Sequence, residues 1–289
     1  MGNPVRVVSL LPSATEIITE VIRAGEPCSH VLSCSHECDY GPVSLAQLPV
    51  LTSARTKFTS SKDVDDQSLC QVCSVDYRLI EALARRMPEP HPAIVDLSPQ
   101  NLWEVLDDLR RVGEAVGQPG AGQRAIDGLR GRIEAVAALA RERLAAGAAR
   151  PRCLVAEWTD PIFVGGHWTP QIVHMAGGEH VLNPGREDGG AGKSYTVPFD
   201  RLLEADPEWL IIAPCGLDLA VTRQEMGPLV EQPAWSSLRA VKEQKVVLVD
   251  GNQMFNRSGP RLVDALEFLF ALFWDRPDLM PKAFPYEYL

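Results

Sequence analysis

Arg6-Val-Val-Ser-Leu-Leu-Pro-Ser-Ala-Thr-Glu16, almost at the start of the chain, is the stretch whose reading decides the fold. Its apolar run, Val5–Leu11, reads as a buried strand, and Pro12 and Ser13 turn the chain into a helix. Ser13 and Glu16 have the S-x-x-E spacing of a capping box, in which each side chain satisfies an orphan backbone donor of the first helical turn. A strand that feeds straight into a helix N-terminus is the first half of a βα unit. Ligands of such folds sit just beyond the carboxyl ends of the strands. Pro12 and Ser13 are therefore candidate ligand contacts.

Outward from this stretch the α/β punctuation continues. Strands are expected near Val31–Ser33 and at Ala93–Leu97, and helices at Ala14–Arg23 and Val75–Met87. Leu102, Val105, Leu106, Leu109 and Val112 recur at three- and four-residue spacing, which predicts a helix over 101–116. Gln118-Pro-Gly-Ala-Gly122 reads as its breaker. A long helix is then expected from about Gln123 to Ala146, with Ile126, Leu129, Ile133, Val136, Ala140 and Leu144 in one stripe. At 1.5 Å per residue it is a rod of about 36 Å. From Arg152 the α/β rhythm restarts, with strands at Cys153–Glu157, Trp209–Ala213 and Val246–Val249. Helices are expected at Pro170–Ala176, from Phe199 to Glu204, and at Arg261–Trp274; the tail after Pro277 reads as irregular. The expected division is an N-terminal α/β lobe over 1–100, a helical segment over 101–150, and a C-terminal α/β lobe over 151–289.

At 289 residues the chain suffices for one large or two medium domains. A net charge of -10 without any basic run excludes a nucleic-acid surface, which needs clustered Lys and Arg. No apolar stretch of membrane-spanning length occurs, so no membrane insertion is expected. The start lacks a basic region followed by an apolar core, and seven cysteines leave at least one unpaired. Both features lead to an expected cytoplasmic location, with a periplasmic or extracellular one as the alternative for a trimmed start. There is no G-x-S-x-G, H-E-x-x-H or Walker loop. The glycines at 113, 117, 120 and 122 do not follow a strand, and Asp107-Asp108 and Asp65-Asp66 read as solvated faces. The expectation is a binding protein, not an enzyme.

Several motifs in series carry a resemblance. They are Ser9-Leu-Leu-Pro-Ser-Ala-Thr-Glu16, Ser35-His-Glu-Cys-Asp-Tyr40, Cys70-Gln-Val-Cys73, Gly166-His-Trp168, Ala176-Gly-Gly178, Ala205-Asp-Pro207, Asp250-Gly-Asn252, Asn256-Arg257 and Gly259-Pro-Arg261. In this order the chain resembles the helical-backbone class of substrate-binding proteins of ABC transporters, above all the cobalamin-binding members. The resemblance implies two Rossmann-like lobes bridged by one long α-helix, with cobalamin or a related corrinoid held in the inter-lobe cleft. It also implies a transporter or delivery partner. The chain departs from the family pattern where Asp65-Asp-Gln67 runs almost directly into Ser68-Leu-Cys70, so the first lobe is expected to lack one βα unit. The alternative within the same architecture is a carrier of zinc, iron or haem.

A corrinoid is broad, flat and rimmed with amides, so its site needs aromatic walls and neutral polar groups. Tyr40, Trp158, Phe163, Trp168 and Phe255 fall where loops at strand ends are expected. Asp250, Asn252, Asn256 and Arg257 lie on a loop before the last helix and could hydrogen-bond the amide rim; ordinary turn chemistry explains them as well. His167 precedes the helix opened by Pro170, as a ligand contact or a satisfied loop histidine. His36, Cys38, Cys70 and Cys73 leave three readings open: a tetrahedral zinc site, contact of His36 or a cysteine with the ligand's cobalt, or buried reduced thiols with a capping histidine.

Overall fold

A computed structural model describes residues 5–25, 29–41, 47–53, 77–190 and 192–289. The chain divides into two compact units. The first includes the N-terminal segment and Glu104–Gly128, and the second Gln100–Trp103 and Leu129–Leu289.

The first unit begins with β1 (Val5–Val8), α1 (Pro12–Ala24) and β2 (Ser29–Ser33), and β1 and β2 pair in parallel as a βα unit demands. The start of α1 differs from the expected capping box. Its N-cap is Leu11, without a side-chain cap, because Pro12 supplies a preset φ and opens the helix one turn position early. Ser13 thus lies inside the first turn. The polar bonding falls to Ser9 and Thr15 instead. Thr15 Oγ1 donates to Ser9 Oγ (2.7 Å), which donates to the Leu11 carbonyl (3.1 Å). α2 covers Tyr77–Ala84. The strand expected at Ala93–Leu97 does not form; an apolar run becomes a strand only beside a free edge, and these residues have no ladder partner among the described ones. The expected shortfall of one βα unit near 67–70 lies outside the described residues.

α3 (Leu102–Ala115) is followed by α4 (Pro119–Ala145), whose 27 residues make a rod of about 40 Å. The expected breaker is in fact the start of α4, since Pro is tolerated in a first helical turn. Its glycine serves a different purpose. A Cβ at Gly122 would stand 2.9 Å from the Leu109 carbonyl oxygen and 3.3 Å from the Gly113 Cα, so α3 and α4 touch backbone to backbone there. The stripe Ile126, Leu129, Ile133, Val136 and Ala140 is buried. Asp107 is exposed as expected, but Asp108 is buried against Arg111 (2.8 Å), and burial pushes its carboxyl up to about 6.

The second unit continues with β3 (Arg152–Thr159), β4 (Ile162–Val164), α5 (Thr169–Met175), β5 (Glu179–His180), β6 (Tyr195–Val197), α6 (Phe199–Ala205) and β7 (Trp209–Ile212). Short helices α7 (Leu219–Gln224), α8 (Gly227–Val230) and α9 (Arg239–Lys242) lead to β8 (Val246–Val249), α10 (Arg261–Phe273) and β9 (Tyr286–Tyr288). The sheet order is β6-β4-β3-β7-β8-β9, with β5 also on β3. β3, β5, β7 and β8 run parallel, and β4, β6 and β9 pair antiparallel with their neighbours. Leu154, Ala156, Leu210, Ile212 and Leu248 pack into one core with Leu202 and Trp235. The alternate residues Val155, Ile211 and Val247 are buried on the other face. Burial of both faces explains why these strands read as unbroken apolar runs. The tail is not irregular throughout, because Tyr286–Tyr288 closes the sheet edge against β8.

From β3 the chain first moves to β4 and β5 on one side, then crosses to β7 on the other. β3 and β7 therefore flank the point where the winding reverses. The loops beyond their carboxyl ends are where a fold of this kind places a ligand.

Candidate functional site

In the first unit, His36 is exposed; its backbone N–H donates to Thr52 Oγ1 (3.0 Å) and its Nδ1 lies 2.7 Å from the same hydroxyl. The Cys38 thiol sits among hydroxyls, 2.9 Å from Thr15 Oγ1 and 3.1 Å from Ser35 Oγ. Tyr40 donates to Glu20, and the Arg23 guanidinium lies against its hydroxyl (2.8 Å) and over its ring. Burial and the Glu20 carboxylate push the Tyr40 phenol up to about 12. Pro12 is buried and Ser13 half-buried. Cys70 and Cys73 lie outside the described residues, so the four-residue zinc arrangement is not described. Among the described residues no group of three His, Cys, Asp or Glu side chains could hold a metal ion.

The second unit brings several candidates to the carboxyl end of β3. β3 carries one more residue than β4 between the pairs Ala156–Val164 and Trp158–Phe163. Glu157 is that extra residue, on a β-bulge, and bulges re-aim side chains beside functional sites. Its carboxyl accepts the Gly166 N–H (3.3 Å) and a hydrogen bond from Ser194. Burial outweighs both and pushes the acid up to about 7. Asn183 knits the surrounding loops, donating to the Gly165 (3.0 Å) and Gly192 (3.2 Å) carbonyls and accepting from the Gly192 N–H (3.1 Å).

His167 and Trp168 follow on the same loop, half-buried, with ring centroids 5.8 Å apart. His167 has φ +53°, a left-handed conformation that costs a non-glycine residue about 1 kcal/mol or more and persists where its surroundings enforce it. Burial and the Lys193 charge push its imidazole below the ordinary value, which keeps it neutral. Trp168 Nε1 donates to the Phe255 carbonyl (2.6 Å), and Phe255 is itself left-handed at φ +64°. The loop between β4 and α5 is thus fastened to the loop after β8, with left-handed His167 next to the donor and left-handed Phe255 as the acceptor.

Other candidates have different surroundings from those expected of loop aromatics and free polar groups. Phe255 is a core residue, edge-on to Phe268 and Phe284. Trp158 is 7% exposed, and its indole N–H is buried without an acceptor. Phe163 is half-buried. Asp250 accepts from the Gln253 backbone (3.0 Å) and side chain (3.0 Å), and Arg257 is buried and donates to Asn252 (3.3 Å). Asn256 donates to the Ala213 (2.8 Å) and Gly251 (2.9 Å) carbonyls. Asp250 and Arg257 staple their own loop, and Asn256 also ties it to the end of β7. Glu157 escaped the sequence reading; the available signal was a carboxylate closing the apolar run Cys153–Ala156.

The chain is similar to proteins of known type. The family model of the periplasmic binding proteins matches residues 81–252, more than half of the chain. Among solved structures, a periplasmic heme binding protein from Pseudomonas aeruginosa is 18% identical with a TM-score of 0.67, covering 94% of each chain. The periplasmic vitamin B12 binding protein of Vibrio cholerae is 19% identical with a TM-score of 0.63, covering 94% of this chain and 97% of its own. A periplasmic heme-binding protein from Roseiflexus sp. is 23% identical with a TM-score of 0.64, covering 95% and 99%. At such identities the likeness carries the fold. No curated protein matches the chain. No helix among the described residues is long and apolar enough to cross a membrane. The cytoplasmic location expected from the first residues is overturned, since the matched family and these neighbours are periplasmic. The matched family is one of binding proteins. By the extent of the family match and the two-unit α/β fold, the chain belongs to the periplasmic binding protein family.

Proposed function

We propose that the protein binds cobalamin or a related corrinoid and hands it to a membrane transporter. The observation that carries this reading is the rigid aromatic edge of His167 and Trp168, fastened to Phe255, beside polar groups held neutral. A flat macrocycle needs such a wall. Its uncharged amide rim is better matched by a neutral imidazole, the Glu157 acid and the Ser194 hydroxyl than by ionised groups. In the first unit, His36 keeps an exposed imidazole, the donor type suited to an axial cobalt position. Pro12, Ser13, Cys38 and Tyr40 are proposed as further contacts, with Phe163 beside the β3 loop. Neighbours of this fold that bind B12 and heme support a metal-bearing macrocycle.

Haem is the second reading, favoured by Lys193, a cation beside His167 that suits carboxylate side chains. Titration with cyanocobalamin and, separately, haemin decides between them, followed by the visible spectrum and calorimetry. Saturable cobalamin binding with an altered spectrum is expected. Saturable haemin binding without cobalamin binding would transfer the function to haem.

A further inference from the structure

Glu157 is the one acidic residue of the β3 run Cys153–Thr159, and the bulge turns it out of the strand's alternation. Two donors already approach its carboxyl, the Gly166 N–H and Ser194. The backbone of Ser194 comes so close to Gly166 that an added Cβ would stand 2.1 Å from the Ser194 nitrogen. The cradle is therefore built to contact distance. Titratable groups on the adjoining segments are His167, Lys193 and Cys215, the last donating its backbone N–H to the Glu157 carbonyl (3.2 Å). His167 is neutral for the reasons given above. A protonated carboxyl is donor and acceptor at once, whereas a carboxylate only accepts. Gly166 and Ser194 fix the carboxyl by donating to it, and in its protonated form the group held there also has a proton to offer.

We propose that Glu157 is a specificity-determining residue of the ligand site, donating a hydrogen bond from its carboxyl to a carbonyl oxygen of the ligand. This rests on the macrocycle reading above and deepens it. It selects amide-rimmed ligands and makes their capture depend on pH. The group sits up at about 7, so the donor form dominates below neutrality and is lost above it.

The test is calorimetric titration of the full chain with cyanocobalamin at pH 6 and pH 8, for the wild type, Glu157→Gln and Glu157→Ala. If only the protonated form binds well, the wild-type Kd rises about tenfold between the two, in step with the competent fraction. Glu157→Gln keeps an N–H donor and loses the proton, so it is expected to hold the pH 6 affinity at both values. Glu157→Ala is expected to bind about tenfold more weakly at pH 6, as loss of one buried hydrogen bond implies. In the free protein, an infrared carboxylic-acid band absent from Glu157→Gln is expected to fade as pH rises through 7. The inference is overturned if Glu157→Gln keeps the tenfold pH loss, if wild-type affinity ignores pH, or if the band is missing at pH 6. A wild type that binds no macrocycle overturns the function reading and the inference together.

Discussion

Gly166→Ala tests the geometry of the site without touching an ionisable group. The added Cβ would lie 2.1 Å from the Ser194 nitrogen, 2.4 Å from the Lys193 carbonyl carbon and 2.8 Å from Ser194 Oγ. Ordinary contact begins near 3.4 Å. Two of the three atoms are backbone, so no rotamer change relieves the overlap and the 193–194 segment must retreat by about 1 Å. Overpacking of this kind costs about 1–3 kcal/mol, and rigid backbone on the far side puts this case at about 3. Urea unfolding at pH 7 is the assay, read as a lower midpoint at unchanged slope. Gly128→Ala is the matched control. Gly128 lies within α4 with nothing within 4 Å of an added Cβ, so the same methyl should stabilise by about 1 kcal/mol through helix propensity. A second consequence follows at Glu157. Pushing Ser194 away removes a bond that favours the ionised form, so the acid should titrate above its position near 7. If Gly166→Ala matches the wild type in midpoint, the close packing of these segments, and the cradle built on it, is wrong.

Other consequences can be measured in parallel. His180 is buried and its imidazole is pushed down to about 4, chiefly by burial. The unfolded chain takes this proton near 6.5 and the folded protein refuses it until about 4, so stability falls as pH drops through that window, by at most about 3 kcal/mol. Urea midpoints of His180→Gln should fall less between pH 7 and 4.5 than those of the wild type; an unchanged fall would refute the assignment. Trp168→Phe removes the 2.6 Å bond to the Phe255 carbonyl and should cost about 1 kcal/mol in urea unfolding. An unaltered midpoint would mean that this bond does not hold the two loops. Together with the Glu157 titrations, these variants separate stability from ligand recognition.

Legibility differed by element for physical reasons. α4 and α10 announced themselves because a long helix repeats its apolar stripe often enough to be counted. β7 and β8 were visible as apolar runs because both faces of a parallel strand are buried. β4, β5, β6 and β9 span only two or three residues each, too few for any period to show. The strand expected at Ala93–Leu97 failed for the converse reason: pattern states that a segment wants burial, while pairing needs an edge supplied from elsewhere. In the candidate site, Trp168 and His167 were legible from a Gly-punctuated loop next to a strand end. Phe255 was not, because its loop position says nothing of the Phe268 and Phe284 rings that enclose it.

The sequence by itself determined the alternation of strands and helices, the long rod of α4, and the residue types from which a macrocycle wall could be built. These follow from periodicity and chemistry, which are local. Only the tertiary structure decided which residues share a surface. The approach of the 193–194 backbone to Gly166 and the bond from Trp168 to Phe255 join positions distant along the chain, and the bulge that re-aims Glu157 depends on how β3 pairs with β4. Whether a carboxyl sits near 4 or near 7 depends on how much water its neighbours exclude, and exclusion of water is a property of packing.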